Sequence, residues 1–279
     1  MTGYSSDVSP TVLRFDINED LRVLSLWFQN NYLKINEIKT QAIIVGPSYE
    51  YEFLLNSREV NISDTLKILG ISFDRMLTYK DYLTAQLKKA YAKTTALRRI
   101  RRFIPTNIMV RLYQTFILHH FEYCSPLLIG LGNIEGNRLE DANYYILRSL
   151  LGLPKSETYD NLLKIANIES LMRRRFTQSL TILYKCHEGK VPGYIKKLFR
   201  LRTGTYNLRG IGTKFEEHSF RSNWLKQSYS SIISRVWNRL PDICRNADNV
   251  KDFRKFLLTI DFTYYVYSDK FELLELLNS

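Results

Sequence analysis

Cysteine is scarce in this sequence of 279 residues. Its three cysteines, Cys124, Cys186 and Cys244, lie far apart, and no CxxC pair occurs. A disulfide framework or a zinc knuckle needs cysteines in larger numbers or at short spacings, so the sequence argues against both. We expect three reduced thiols, packed in the core or lying at the surface.

Long apolar runs are also missing, since no stretch approaches the roughly 20 apolar residues that span a bilayer. The opening residues, MTGYSSDVSP, lack the basic and apolar regions of a secretory signal. We therefore expect a nuclear or cytoplasmic protein. The sequence contains neither a glycine-rich phosphate loop nor a G-x-S-x-G nucleophile elbow, and two aspartates never stand side by side.

Acidic residues are absent from two segments of a chain whose formal net charge is +12. Such an excess favours binding to polyanions, nucleic acid first and an anionic membrane second. The charges of residues 85–121 are all basic, at Lys88, Lys89, Lys93, Arg98, Arg99, Arg101, Arg102 and Arg111. Residues 189–214, also free of acid, carry Lys190, Lys196, Lys197, Arg200, Arg202 and Arg209.

The first third of the chain changes from a helical to a strand-like pattern. Apolar residues recur at steps of three and four from Leu13 to Phe28, which predicts an amphipathic helix. Ser9 and Pro10 suit its start, and Asn30 and Asn31 suit its end, because asparagine tolerates the left-handed conformation found there. Segments rich in branched and aromatic residues follow between turn formers, at 41–46, 51–55, 58–62 and 66–73.

From Thr78 the period is helical again. Thr78 is a suitable N-cap for a helix whose apolar stripe consists of Tyr79, Leu83, Leu87, Ala90, Thr94 and Leu97. Lys88, Arg99 and Arg102 fall on the opposite face, with Lys89 and Lys93 along one edge.

The remainder of the chain is also mainly helical in pattern. A helix that opens at Pro105 presents Ile108, Leu112 and Phe116, and a weak break lies near residues 130–136. Further helices are expected around 139–150, 158–165, 171–187, 230–238 and 250–259, with a loop at 204–213. These patterns predict an α+β fold that is mainly helical and includes a small antiparallel sheet or a pair of hairpins.

Three groups of residues, in order along the chain, carry a resemblance to a known family. The first comprises Trp27, Asn31, Leu33, Asn36, Lys39 and Thr40; the second, residues 66–71 with Asp74, Leu77 and Thr78; the third, residues 91–93, 97–100, 112–113 and 121–125. Matching residues continue in the tail, at 173–175, Pro192, Tyr194, Ile195, Ser222, Ser228, 237–241 and Phe253. Each group alone is explained by helix ends, a buried strand and amphipathic helices. Together they closely resemble the reverse transcriptases of non-LTR retrotransposons of the LINE type, and the jockey-like branch in particular.

The resemblance implies a domain order and roles for particular residues. It implies a palm remnant at 1–77, a thumb-like helical region at 78–132 and a C-terminal helical region at 133–279. Lys39 would lie near the incoming nucleotide, and Lys67, Leu69 and Gly70 would belong to the hairpin that grips the primer end. The thumb would contact the phosphates of an RNA or RNA–DNA template–primer duplex through Lys88, Lys89, Lys93, Arg98, Arg99 and Arg102.

The carboxylates that polymerisation requires are missing from the matching pattern. The family's full-length enzyme uses magnesium ions held by closely placed aspartates, partly from a Tyr-x-Asp-Asp hairpin. Here Tyr4-Ser5-Ser6-Asp7 supplies a single acid, and Asp16, Glu19 and Asp20 are expected to form the solvated face of the first helix. We expect no cofactor to be bound by this chain and no small-molecule substrate for it alone.

The sequence has four histidines, His119, His120, His187 and His218, as candidate bases or metal ligands. The adjacent pair is predicted to point to different sides of a helix, and Glu122 is the only carboxylate near it in sequence. Ordinary packing or surface roles are therefore expected for all four.

Three functions remain open from the sequence. The chain is expected to be a truncated RNA-directed DNA polymerase that keeps the elements gripping the template–primer but lacks the catalytic aspartates. It could instead be an active polymerase module that obtains those aspartates from a longer gene product or a partner chain. The third alternative is a non-enzymatic protein, derived from a retroelement, whose basic faces bind nucleic acid, a membrane or another protein.

Overall fold

A computed structural model describes residues 3, 5–6, 9–46, 51–202, 213–217, 228–260 and 262. The chain divides into two units, Met1–Ala85 and Gln86–Ser279, and each is described by itself. Helices predominate and short paired strands occur in the first unit, so the predicted mainly helical α+β class is confirmed. The residues Tyr4, Asp7 and Ser222 and most of the loop expected at 204–213 lie outside the described part.

Helix α1, Pro10–Asn30, begins and ends where the sequence predicts. Ser9 is its N-cap residue and Pro10 occupies the first turn, where its missing N–H costs no hydrogen bond. The expectation of a left-handed asparagine at the end was wrong. Asn31 has a φ of −100°, and Tyr32, with a φ of 56°, takes the left-handed conformation instead.

Among the described residues, short strands form three separate pairs rather than one sheet. They are β1 Gln41–Ala42, β2 Leu54–Leu55, β3 Arg58–Glu59, β4 Asn61–Ile62, β5 Thr65–Ile68 and β6 Ile71–Asp74. Strands β2 and β3, and β5 and β6, form the antiparallel hairpins that the sequence favours. The pairing of β1 with β4 is parallel. The segment 66–73 is two strands joined by a turn, because Leu69 and Gly70 both have positive φ and reverse the chain.

A small apolar cluster holds α1 against the strands of the first unit. Phe53, Leu55 and Val60 are buried, and the half-buried Ile17 and Leu21 of α1 pack on them. Asn18 of α1 fixes this contact, because its side chain accepts a hydrogen bond from the Leu54 amide at 2.8 Å and donates one to the Glu52 carbonyl at 3.2 Å. The opposite face of α1 leaves large apolar side chains in solvent: Val12, Phe15, Val23, Leu26 and Trp27.

Helix α2, Lys80–Ile100, carries the apolar stripe that the sequence predicts. Every member of that stripe is buried except Leu97, which is half-buried. The predicted cap was only partly right. The helix begins two residues after Thr78, and the carboxylate of Asp74 accepts hydrogen bonds from the amides of Thr78 at 2.9 Å and Tyr79 at 2.7 Å.

The second unit continues from α2 with helices of 4 to 19 residues, and the predicted helical segments are all confirmed. They are α3 Thr106–Phe116, α4 His119–Glu122, α5 Asn133–Leu151, α6 Tyr159–Ala166, α7 Leu171–His187, α8 Gly193–Lys196, α9 Tyr229–Arg239, α10 Asp242–Arg245 and α11 Val250–Thr259. The expected inner face of α3 was wrong. Met109 and Tyr113 are its buried residues, whereas Ile108 and Phe116 are exposed.

The core of the second unit surrounds α7. Tyr184 stacks on Phe253 with ring centroids 4.6 Å apart, and Trp237 lies 5.6 Å from the same phenylalanine. Trp237 is fully buried, and its indole N–H donates to the Thr213 carbonyl at 2.7 Å. The tail residues Trp237 and Phe253, which the family resemblance includes, therefore serve packing.

A buried polar network joins α3, α5, α6 and α7. The Tyr113 hydroxyl donates to Asn143, whose amide donates to the Tyr159 hydroxyl at 2.6 Å. Tyr159 in turn donates to Glu140 at 2.7 Å, and Glu140 accepts from the Met172 amide at the start of α7 and pairs with buried Arg175 at 3.5 Å. These bonds fix α3, which belongs to the acid-free segment 85–121, against the core.

Candidate nucleic-acid interface

The acid-free segment forms α2 from Ala85 onward, a short 3₁₀ helix at Arg101–Phe103, α3 and the start of α4. We call six of its residues the α2 basic surface: Lys88, Lys89, Lys93, Arg98, Arg99 and Arg102. All of them are exposed except Lys93, which is half-buried. Within the described residues, none of the six forms a salt bridge with a carboxylate. Their charges are therefore available to an external anion.

The geometry of α2 places two of these cations on one line. Lys88 and Arg99 lie about three turns apart, which is about 16 Å along the axis and nearly the same direction around it. Between them the exposed Ala92 and Thr95 are small, and Ala96 and the 37% exposed Tyr91 lie at the two edges of this face. A face of this kind is smooth, so a phosphate backbone can approach the helix closely between the two charges.

Arg101 is the member of the basic run that serves the fold instead. Its guanidinium donates to the Ser149 carbonyl at the end of α5, at 3.0 Å. Gly152 lies under the same guanidinium, with a φ of 71°, and a Cβ atom there would come within 2.8 Å of the Arg101 Cζ atom. The contact fixes the 3₁₀ helix to α5 and holds its other residues in place.

The 3₁₀ helix presents an aromatic residue that the sequence analysis did not single out. Phe103 is 77% exposed, and the guanidinium of Arg102 lies over its ring at 5.7 Å from the centroid. An aromatic residue directly after a basic run, in RRIRRF, was the available signal.

The expectation that His119 and His120 point to different sides of their helix was wrong, since their ring centroids lie 4.0 Å apart. His120 is half-buried, and its Nδ1 atom lies 2.9 Å from the Gln86 side-chain oxygen. Burial, followed by the nearby charges of His119, Lys93 and Lys89, lowers the pKa of His120 to about 4. A ring that stays neutral adds no charge to the basic surface at neutral pH.

No set of three metal-ligating side chains comes together in the described parts of the chain. Glu122 forms an ion pair with Arg174. The half-buried His187 ring is tilted against Trp237 with ring centroids 5.8 Å apart, and His218 lies outside the described residues.

The residues matched to the nucleotide site and the primer grip all lie in the first unit. Lys39 is exposed and ends a 3₁₀ helix, Glu37–Lys39, whose cap is the Asn36 side chain. Lys67 is exposed on β5, and Leu69 and Gly70 form the turn to β6, with φ values of 49° and 87°. Leu69 is 86% exposed although it is apolar and left-handed, which costs energy for any residue but glycine or asparagine.

The other acidic and basic candidates lie on the solvated face of α1 or form ion pairs at the start of α7. Asp16, Glu19 and Asp20 are exposed on α1, as predicted, and Glu19 pairs with Arg22 at 2.6 Å. The three arginines at the start of α7 are all paired with acid: Arg173 with Glu169, Arg174 with Glu122 and Arg175 with Glu140. The α2 basic surface therefore differs from the arginine run of α7, whose charges are already compensated.

A search of the described helices finds none that is both long and apolar enough to cross a membrane. Comparisons with protein-family models, with curated proteins and with solved structures returned no match for this chain.

Proposed function

We propose that the chain is the C-terminal part of a non-LTR retrotransposon reverse transcriptase, which grips a template–primer duplex without polymerising DNA by itself. One observation carries the gripping role. Six cations on and directly after α2 have no carboxylate partner among the described residues, while the opposite side of the helix is buried. The assignment to this family rests on the resemblance of the sequence.

The chemistry of the surface suits a duplex backbone rather than a particular base sequence. Lysine and arginine on a helix face neutralise phosphates and release condensed counterions, so affinity falls steeply with salt. Contacts of this kind set the position of the protein and carry little sequence information. A template–primer duplex, whose sequence changes at every step of copying, requires that kind of binding.

The test is salt-dependent binding to an RNA–DNA duplex, followed by fluorescence anisotropy. Reversing Lys88, Arg99 and Arg102 to glutamate should weaken binding about equally for all duplex sequences. Each lost phosphate contact should lower the slope of log K against log salt by about 0.7–0.9. Because the three side chains are exposed, stability should change by no more than roughly 0.5 kcal/mol per site.

A matched control changes the net charge equally at other places. Lys185, Arg239 and Lys251 are exposed on α7, α9 and α11, and none forms a salt bridge within the described residues. Changing these three residues to glutamate should keep most of the affinity for the duplex and most of the slope of log K against log salt. Equal losses in both triple variants would show that binding follows net charge alone. An unchanged affinity in a folded Lys88, Arg99 and Arg102 variant would reject the α2 basic surface.

Two further measurements separate the alternatives. With magnesium, nucleotides and an RNA template, the purified chain should extend no primer, because the sequence holds no pair of adjacent aspartates for the metal ions. Extension that survives repurification and is lost on mutating the chain would favour an active polymerase. Tighter binding to anionic vesicles than to duplex at the same salt would favour a membrane-binding protein.

A further inference from the structure

The packing of the second unit does not explain why a phenylalanine stands at position 103, because its side chain is mostly in solvent. At 77% exposure it contributes little to folding, although a phenylalanine in water forgoes a stabilisation that burial would bring. Its position is nevertheless fixed. The Ile104 amide donates to the Arg101 carbonyl at 3.2 Å, which closes the turn, and Arg101 is hydrogen-bonded to the end of α5.

The surroundings of Phe103 are strongly positive. The Arg102 guanidinium lies 5.7 Å from the ring centroid, within the range of a cation–π contact. Arg98 and Arg99 end α2 just before it, both exposed and neither in a salt bridge among the described residues. An aromatic ring among uncompensated arginines combines a stacking surface with phosphate-binding groups, and single-stranded nucleic acid is bound in this way.

We propose that Phe103 stacks on an unpaired nucleobase, so that the α2 basic surface binds a duplex with a single-stranded overhang better than a blunt duplex. This inference rests on the proposed function, because the cations of α2 must hold the duplex first. Stacking tolerates every base, since each has a π-face, and the preference is therefore for strand structure and not for sequence. The nucleic acid that we propose as the ligand is therefore a junction between paired and unpaired strands.

A membrane would be a different partner for an exposed phenylalanine, but the rest of the helix face does not suit one. An interfacial helix presents a continuous apolar face to the lipid. Along the line from Lys88 to Arg99 the exposed residues Ala92 and Thr95 are small, and the one large apolar side chain exposed beside them is Tyr91, at 37%. Lysines and arginines separate the exposed Tyr91, Ile100 and Phe103 along the chain, so these side chains form no continuous apolar face, and the most exposed ring, Phe103, suits contact with one base.

The experiment uses two RNA–DNA duplexes, one blunt and one with a single-stranded template overhang that begins with 2-aminopurine. The wild-type chain should bind the overhang substrate about tenfold more tightly and quench the 2-aminopurine fluorescence. Phe103→Ala should remove both effects while it leaves the blunt-duplex affinity and its salt slope unchanged. Phe103→Trp should restore them, because tryptophan also stacks.

Phe15→Ala is the matched control, because Phe15 is 71% exposed on α1, lies outside the α2 basic surface and has Asp16 beside it in sequence. It should behave as the wild type does. If Phe103→Ala keeps the overhang preference, or loses affinity equally for both duplexes, the stacking role is rejected while duplex gripping stands. If the wild-type chain binds neither duplex in a salt-dependent manner, the proposed function fails and the stacking role fails with it. Preferential binding to anionic vesicles that Phe103→Ala abolishes would assign the ring to a membrane.

Discussion

At the scale of single residues, His120 shows how burial beside cations changes a titration. Its pKa falls to about 4 from the ordinary value of 6.5, first through burial and then through His119, Lys93 and Lys89. Because the unfolded chain binds the proton at a higher pH than the folded chain, stability is complete above about pH 6.5 and declines as the pH falls towards 4. The loss should be about 1 kcal/mol, after allowance for solvent screening at the exposed part of the ring.

NMR titration of the His120 imidazole would measure its pKa, and urea unfolding at pH 7.5 and pH 5 would measure the loss of stability. His120→Gln keeps a neutral side chain at each pH, so it should lose less stability than the wild type between the two conditions. Carboxylates stay ionised over this interval and contribute little to the difference. A titration midpoint of His120 near 6.5 would contradict the prediction.

Single residues are also where the sequence was least informative. The acid-free run located the cations correctly, yet it could not show that Arg101 would be used to fix the 3₁₀ helix to α5. That role depends on Ser149 and Gly152, about fifty residues further along the chain. After α1 the left-handed conformation is adopted by Tyr32 and not by Asn31. The preference of asparagine for this conformation is small compared with the energy that fixes the direction in which the chain leaves the helix.

Glu140 connects elements, and its removal should be costly. The carboxylate accepts from the Met172 amide at 2.6 Å and from the Tyr159 hydroxyl at 2.7 Å, and it pairs with Arg175, whose side chain is buried. Glu140→Ala would leave that charge without compensation, so we expect a loss of about 3–5 kcal/mol in the free energy of unfolding.

The control for Glu140→Ala also removes the buried positive charge of Arg175, which that variant leaves unpaired. Adding Arg175→Met to Glu140→Ala should recover part of the stability, because no buried charge then remains unpaired. Chemical denaturation of the three chains gives the coupling directly. A double variant that is less stable than Glu140→Ala would show that Arg175 stabilises the core through packing and not through this pair.

Asp74 caps the start of α2, and its effect should depend on pH. Partial burial opposes ionisation, but hydrogen bonds from Thr78, Tyr79 and Met76 outweigh it and lower the pKa of Asp74. Asp74→Ala should therefore lower stability by about 1–2 kcal/mol at neutral pH. Because the folded-state pKa is depressed, this contribution is complete above the ordinary value of 3.8 and is lost as the pH falls below it.

Asp74→Asn tests the role of the charge, since the amide oxygen still accepts a hydrogen bond but the nitrogen cannot. The free energy of unfolding of Asp74→Asn should lie between those of the wild type and Asp74→Ala. The difference between the wild type and both variants should shrink when unfolding is measured at pH 3. A difference that is independent of pH would show that the shape of the side chain, and not its charge, supports the cap.

Helices were predicted better than strand pairs for a physical reason. A helix buries residues three and four apart, so the stripe of α2 can be found from neighbouring positions alone. Strands β1 and β4 pair in parallel, with Gln41 opposite Asn61 and Ala42 opposite Ile62. These partners are twenty residues apart in sequence, so no local pattern specifies the pairing. The inner face of α3 was mistaken because Met109 and Tyr113 give an equally regular helical spacing.

At the scale of the whole molecule, the two units differ in how much they bury. Among its described residues, the first unit has a small buried cluster of Phe53, Leu55 and Val60, and the described strands are paired only two by two. Its other buried apolar side chains are Ile71, Tyr79, Tyr82 and Leu83. The second unit contains a far larger cluster around α7, α9 and α11. Isolated two-stranded pairs are marginal in water, whereas helices packed on a large aromatic core are not.

Hydrogen exchange should therefore separate the two units. Amides of β2 to β6 should exchange fast through local opening, and those of α7 and α9 should be protected up to the free energy of opening of the second unit. Mass spectrometry of deuterium uptake by the full chain at neutral pH gives both rates in one sample, so the slow helices serve as the internal control. Equally strong protection of strands β2 to β6 and helix α7 would contradict this prediction, because strands paired only two by two should open more easily than a helix in a large core.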